Sequence, residues 1–321
     1  MDRPIFNHIR ASRKKRGCIL SIYIPDSAML LQAIVNALSI GALYALVSIG
    51  YTMVYGILRL INFAHGDIFM MSMYFAFYLV GIFYLPWYAA FIITIILTGL
   101  LGILIEKVAY LPLREAPRIS LLISSIGVSY LFQNLAVVIF TGLQKQFPEV
   151  PYLQGMIQIG TVRIQRLAIV TPIVTAVLVI LLLYLINRTK VGMAMRASSK
   201  DFEASKLMGI NVNKVISFTF CIGSMLAAVG AIMWGLKYPK IEPYVGTMPG
   251  LKCFIAAVIG GIGNIKGAVV GAILLGFLEI MIVLFFPDLS TYKDAFAFAA
   301  LIIILLIRPS GILGEKVANK V

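Results

Sequence analysis

Long apolar runs separated by short polar and basic segments dominate the chain. Runs near 28–48, 66–84, 88–107, 119–141, 168–187, 214–236, 267–286 and 294–308 approach the ~20 residues an α-helix needs to cross about 30 Å of hydrocarbon. Two further runs, 50–61 and 251–263, are shorter. Each is followed by a small polar turn, Asn62-Phe-Ala-His-Gly-Asp67 and Gly263-Asn-Ile-Lys-Gly267. The pattern predicts an all-α fold, a polytopic transmembrane helical bundle of about eight full spans plus two short or broken helices. Ten-residue stretches of period-2 alternation are missing, which argues against an outer-membrane barrel. Alternation does occur on both sides of Gly160-Thr161, within Met156-Ile-Gln-Ile-Gly-Thr-Val-Arg-Ile-Gln165, and predicts a small β-hairpin on the outer face.

The same pattern suggests a two-fold internal repeat. Residues 28–107 and 214–308 each read as a long helix, a short returning piece, a glycine-containing turn and two long helices, in the same orientation. Short, glycine-interrupted segments at equivalent places in two halves point to a transport pathway.

Composition sharpens the membrane reading. Hydrophobic residues make up 61% of the chain and charged residues 12%, a surplus that a water-soluble domain cannot bury. The net charge of +14 does not imply nucleic acid, because the basic residues fall in the segments between apolar runs and form no single stripe. If both termini and the loops near 106–118 and 188–214 are cytoplasmic, 20 of the 27 Lys and Arg lie inside, or 14 against 7 without the first 27 residues. That asymmetry is the positive-inside rule. Residues 1–27, with Arg13, Lys14, Lys15 and Arg16, read as a basic cytoplasmic tail; the alternative is that Met29 is the natural start. Residues 28–314 form the transmembrane domain and 315–321 a second cytoplasmic tail. Cys18, Cys221 and Cys253 are far apart and give no disulfide or metal motif.

Charges and amides inside apolar runs are costly and are functional candidates for that reason. Glu279 is the sharpest: it either lines a hydrophilic path or pairs with a polar group on a neighbouring helix. Gln133 and Asn134 invite the same two readings, whereas Glu106, beside Lys107 at a helix end, reads as structural. Asn62 and Asp67 suit helix capping and complement a helix N-terminus. With His65 and Gly66 they are also pathway candidates by membrane depth. His65 alone makes a poor metal site. Gly263, Gly267 and Gly271, four apart, predict one close-packed helix face. No phosphate-binding loop and no nucleophile constellation occurs, so neither ATP binding nor catalysis is expected of this chain.

The 188–214 segment is long, basic and amphipathic. Helix formers run from Phe202 to Met208 and stop at Gly209, a natural cap. Met195, Phe202 and Met208 are expected as exposed apolar anchors.

Several motifs make the chain resemble the permeases of high-affinity branched-chain amino acid ABC importers. They are Asn36-Ala-Leu-Ser-Ile-Gly-Ala-Leu-Tyr-Ala-Leu, Gly50-Tyr-Thr-Met-Val-Tyr-Gly and Ile61-Asn-Phe-Ala-His-Gly-Asp67, then Gly192-Met-Ala-Met-Arg-Ala, Leu207-Met-Gly-Ile-Asn-Val and Arg308-Pro-Ser-Gly-Ile-Leu-Gly314. The resemblance spans about 28–314. It implies a pore shared with a second related permease, two ATPase subunits that bind ATP and Mg below, and an extracytoplasmic substrate-binding protein above, all in a bacterial or archaeal inner membrane. The N-F-A-H-G-D type of motif suggests a heterodimer of permeases. That group's cytoplasmic contact motif, E-A-A-x-x-x-G, is matched by Glu203, Ala204 and Gly209 and departed from at Ser205. The resemblance therefore implies an ATPase-coupling set of Phe202, Glu203, Ala204, Ser205, Leu207, Met208 and Gly209. Urea and short-chain amide permeases share most of these motifs, and an ion-coupled secondary transporter using Glu279 is the competing class.

Overall fold

The computed structural model describes residues 25–159 and 162–314; the expected tails at 1–24 and 315–321, Cys18 and the Gly160-Thr161 turn lie outside them. Helix α1 (Ser27–Leu58) runs unbroken for 32 residues, about 48 Å at 1.5 Å per residue. The sequence reading of two pieces, 28–48 and 50–61, is therefore corrected. Gly50, the first residue of the expected short piece, is a packing residue inside the helix. A Cβ there would lie 2.4 Å from His65 Nε2 and 2.9 Å from the Gly223 carbonyl. Close backbone approach offsets the helix propensity that glycine lacks.

The remaining helices follow in order. They are α2 (His65–Gly81), α3 (Trp87–Ile105, continued by a π-turn over Glu106–Tyr110), α4 (Arg118–Phe140), the single turn α5 (Pro151–Gln154), α6 (Arg166–Arg188), α7 (Lys190–Lys200), α8 (Phe202–Leu207), α9 (Val212–Lys237), α10 (Thr247–Gly260), α11 (Ile265–Phe285) and, after a 3-10 turn over Pro287–Tyr292, α12 (Lys293–Ile307). Seven segments are long and apolar enough to cross a membrane. The 17-residue α2 and 14-residue α10 are shorter, and α10 is the short helix expected near 251–263. Strand β2 (Met156–Ile159) pairs antiparallel with β3 (Val162–Gln165). A second short ladder joins β1 (Lys145–Gln146) to β4 (Lys240–Ile241).

α1 is the central post. Ala37 and Gly41 pack on Gly276, Gly41 also on Ala272–Ile273, and Gly56 on Gly263, so α1 and α11 are antiparallel. Gly50 meets Gly223 and Gly230 meets Val47, so α9 is antiparallel to α1 as well. The same-orientation repeat thus loses its returning piece at 50–61, and the long helices that would open its two halves run oppositely. A further correction concerns topology. The start of α1 lies beside β3, where the Gln32 amide donates to the Arg163 carbonyl at 3.1 Å. Gly314 lies instead against Gly261, beyond the other end of α1. Ser27 and Gly314 are at opposite ends of the bundle, so the described chain does not begin and end on one side.

Glycines set the tightest crossings. On α11, Gly267 and Gly271 would place a Cβ 2.4 Å from the Gly260 carbonyl oxygen and 2.2 Å from that of Ala256. Gly263 does not share their helix face as expected: it sits in the preceding turn at φ +97°. Before α10, a Cβ on Gly246 would lie 1.9 Å from the Gly66 carbonyl oxygen. Gly246→Ala is therefore expected to cost about 1–3 kcal/mol by overpacking. The check is the melting temperature of detergent-purified protein, with Gly127→Ala, where a Cβ meets nothing within 4 Å, unchanged or slightly raised beside it.

Candidate functional site

Two of the sequence candidates belong to one polar junction and a third to another. In the turn between α1 and α2, Asn62 Oδ1 accepts from Ala64 N at 3.1 Å and from the Tyr110 hydroxyl at 2.6 Å, tying the turn to the π-turn of α3. Asp67 Oδ1 accepts from Gln133 Nε2 at 3.0 Å, which ties α2 to α4. His65 is buried, meets the Tyr51 ring edge-on at 4.6 Å, and has no partner for Nε2 among the described residues. Gly66 is wedged against Gly246 and Gly250. Asn62, His65, Gly66 and Asp67 are all buried in this chain, and the contacts they make hold helices together.

Glu279 lies apart from them. It is 3% exposed. Its Oε2 accepts from the Tyr44 hydroxyl at 2.6 Å, and its Oε1 pairs with Lys252. Lys252 also reaches Asp294 at 2.7 Å, and Lys293 approaches Glu279 at 3.9 Å. Four helices, α1, α10, α11 and α12, meet in this network. Of the two sequence readings, the pairing is observed, with Lys252 and Tyr44 as the partners. Sequence reasoning missed Lys252, although it sits inside the short apolar run 251–263 and the cost of charge in apolar surroundings that singled out Glu279 applies equally to it.

Asn134 stands on the outer surface of α4. It is exposed, with its amide nitrogen donating to the Tyr130 carbonyl one turn earlier at 2.7 Å. Gly127 and Tyr130 continue the same exposed face at helical spacing, with Tyr130 63% exposed.

The 188–214 segment folds as two capped helices. Thr189 accepts from Gly192 N at the start of α7. At the start of α8, Asp201 Oδ1 accepts from Glu203 N at 2.8 Å and Ala204 N at 3.0 Å, a cap the sequence reading did not single out. At its other end Gly209 adopts φ +80°. Gly209 N donates to Lys206 O and Ile210 N to Ser205 O, both at 3.0 Å. These are the two bonds of a Schellman motif. Leu207 and Met208 stand 88% and 82% exposed, and Glu203 and Ala204 are exposed beside them. Ser205, in contrast, is buried and its hydroxyl donates to the Asp201 carbonyl. Met195 is buried and Phe202 partly so, which corrects the expectation that both are exposed anchors. They fasten the two helices to the bundle. Behind them Glu106 is fully buried and accepts from Arg114 at 2.5 Å and from Ser217 at 2.6 Å, the structural role expected of it. Burial draws the Arg114 pKa below its ordinary value, with Glu106 opposing.

Seven apolar segments of spanning length around a glycine-packed post make this a multi-pass membrane protein, and its relatives place it among transport permease subunits. Residues 33–305 match the model of the family described as branched-chain amino acid transport system / permease component, and the chain belongs to that family. It is 41% identical over 309 residues to the high-affinity branched-chain amino acid transport system permease protein BraD of Pseudomonas aeruginosa, covering 93% of this chain and 100% of the relative. The permease protein LivH of Escherichia coli K12, of the same description, is 38% identical over 303 residues, 91% of this chain and 97% of the relative. A more distant relative is the probable branched-chain amino acid transport permease protein LivH of Methanocaldococcus jannaschii. It is 25% identical over 85% of this chain and 89% of its own length.

Proposed function

We propose that this permease carries branched-chain amino acids across the inner membrane as one half of an ATP-driven importer. A second related permease, two ATPases and an extracytoplasmic binding protein complete the assembly. The observation that carries the substrate is the 41% identity to a branched-chain amino acid permease along the relative's entire length. The end of the bundle bearing α8 faces the cytoplasm, because the described segments put twelve Lys and Arg at that end and seven at the other. Ser27 then enters the membrane from the outside.

ATP and Mg bind to the partner ATPases, and the push of their closure enters through α8. Glu203, Ala204, Leu207 and Met208 form the contact, Phe202 and Ser205 anchor it, and Gly209 closes it. The substrate path runs along the face of α4 that carries Gly127, Tyr130 and Asn134, completed by the second permease. An amide exposed at membrane depth is costly against lipid and is tolerated where it lines an aqueous path or a protein interface. The competing ion-coupled reading rested on Glu279 as a cation site, and Lys252 already neutralises that carboxylate.

Uptake of labelled leucine by cells expressing the chain with its partner subunits tests this reading. Excess isoleucine and valine are expected to suppress uptake, and urea to leave it unchanged. Asn134→Leu is expected to lower uptake about tenfold, equivalent to ~1.4 kcal/mol, at an unchanged membrane level. Efficient urea uptake without leucine uptake would contradict the substrate assignment.

A further inference from the structure

A cleft of about 390 Å³ opens between the π-turn of α3 and the first turns of α9. We propose that it binds one anionic phospholipid, the phosphate held by Lys107 and Lys214 and the acyl chains lying along Ile103, Leu111 and Phe218. Nothing in this assignment depends on which solute is transported; it rests on the chain spanning a bilayer.

Three features build the site. First, the π-turn inserts an extra residue into the helical register, marked by Leu111 N donating to Glu106 O five residues back at 2.8 Å. It turns Glu106 inward to full burial and Lys107 outward. Glu106, beside the cleft, is neutralised by Arg114 and also accepts from the Ser217 hydroxyl. Lys107 and Lys214 are both exposed, neither has an acidic partner among the described residues, and no acidic side chain lines the cleft.

Second, the rims are fixed before any ligand arrives. Arg114 spans them, donating to Glu106 on the π-turn and to Asn213 Oδ1 on α9. With its carbonyl oxygen engaged, the Asn213 side chain, which also lines the cleft, has its amide N–H groups left to donate to a phosphate. Third, the polarity is graded. Ile103, Leu111 and Phe218 line the apolar part of the cleft, and Lys107 and Lys214 stand at the helix ends, where the bundle leaves the membrane. A basic rim over an apolar cleft at that depth matches a lipid with an anionic head. A zwitterionic lipid also offers a phosphate but brings its own ammonium group beside the two lysines, and so adds no net negative charge to the site.

The test uses the full chain purified with its co-expressed partner subunits in neutral detergent. Native mass spectrometry follows retention of phosphatidylglycerol against phosphatidylethanolamine. One phosphatidylglycerol per chain is expected to be retained in preference. Lys107→Gln/Lys214→Gln should weaken it about 30-fold, roughly fivefold per lysine. Arg188→Gln/Lys190→Gln, which removes the same charge from the same end, should leave it unchanged. In otherwise unaltered protein, Phe218→Trp should be quenched more strongly by brominated phosphatidylglycerol than by brominated phosphatidylethanolamine. Equal retention or quenching by the two lipids, equal loss in the two glutamine pairs, or expulsion of the lipid when the partner subunits bind would overturn the proposal.

Discussion

Lys252→Met is expected to destabilise the protein more than any substitution on its surface. The mutant leaves Glu279 buried with the Tyr44 hydroxyl at 2.6 Å and Lys293 no nearer than 3.9 Å. Removing one partner of a buried ion pair costs about 3–5 kcal/mol, because the desolvated charge left behind is uncompensated. Glu279→Leu is expected near the lower end of that range, since Lys252 keeps Asp294 at 2.7 Å. The double variant Lys252→Met/Glu279→Leu should recover most of the loss, as an apolar pair in place of a buried ion pair often does. Thermal unfolding of the three purified variants checks the ordering. Additive losses in the double variant would show that the two groups do not act as a pair.

Gly209→Val is expected to weaken coupling strongly without harming the bundle. A Cβ at Gly209 meets nothing within 4 Å, so sterics with neighbours do not enter. The penalty comes from φ +80°, a conformation that costs an L-residue about 1–2 kcal/mol and a β-branched one more. Without the Schellman closure the last turn of α8 frays, and Leu207 and Met208 lose their fixed presentation. ATPase association and uptake are each expected to fall about 5- to 30-fold, the equivalent of that energy, at normal membrane level. Gly209→Asn, which tolerates the left-handed region, should retain most of both. Equal uptake by the valine and wild-type proteins would remove α8 as the coupling element.

Fold class was legible because membrane thickness imposes a length on every span, and apolar runs of that length are plain in the sequence. The continuity of α1 across 49–50 was not legible in the sequence, because a glycine weakens a helix yet also permits close contact. At Gly50 it permits contact with α9 and α2, and only the three-dimensional neighbours distinguish that from a helix break. Topology failed with it, since one helix fewer reverses the side on which Ser27 stands. The α8 cap at Gly209 was legible as local chemistry, a run of helix formers ended by glycine. The inward turn of Ser205 and Met195 was not, because which face of so short a helix is covered depends on packing against the rest of the bundle. Glu279 stood out as a charge in an apolar run, yet its partner Lys252 is 27 residues away, and no spacing rule joins them.

Uptake into sealed proteoliposomes that hold this chain with its partner subunits, with the binding protein outside, tests ATP-driven transport most directly. Leucine should accumulate when ATP and Mg are enclosed in the lumen, and ionophores that collapse proton and sodium gradients should leave the rate unchanged. Accumulation without ATP, driven by an imposed ion gradient and abolished by the ionophores, would contradict it.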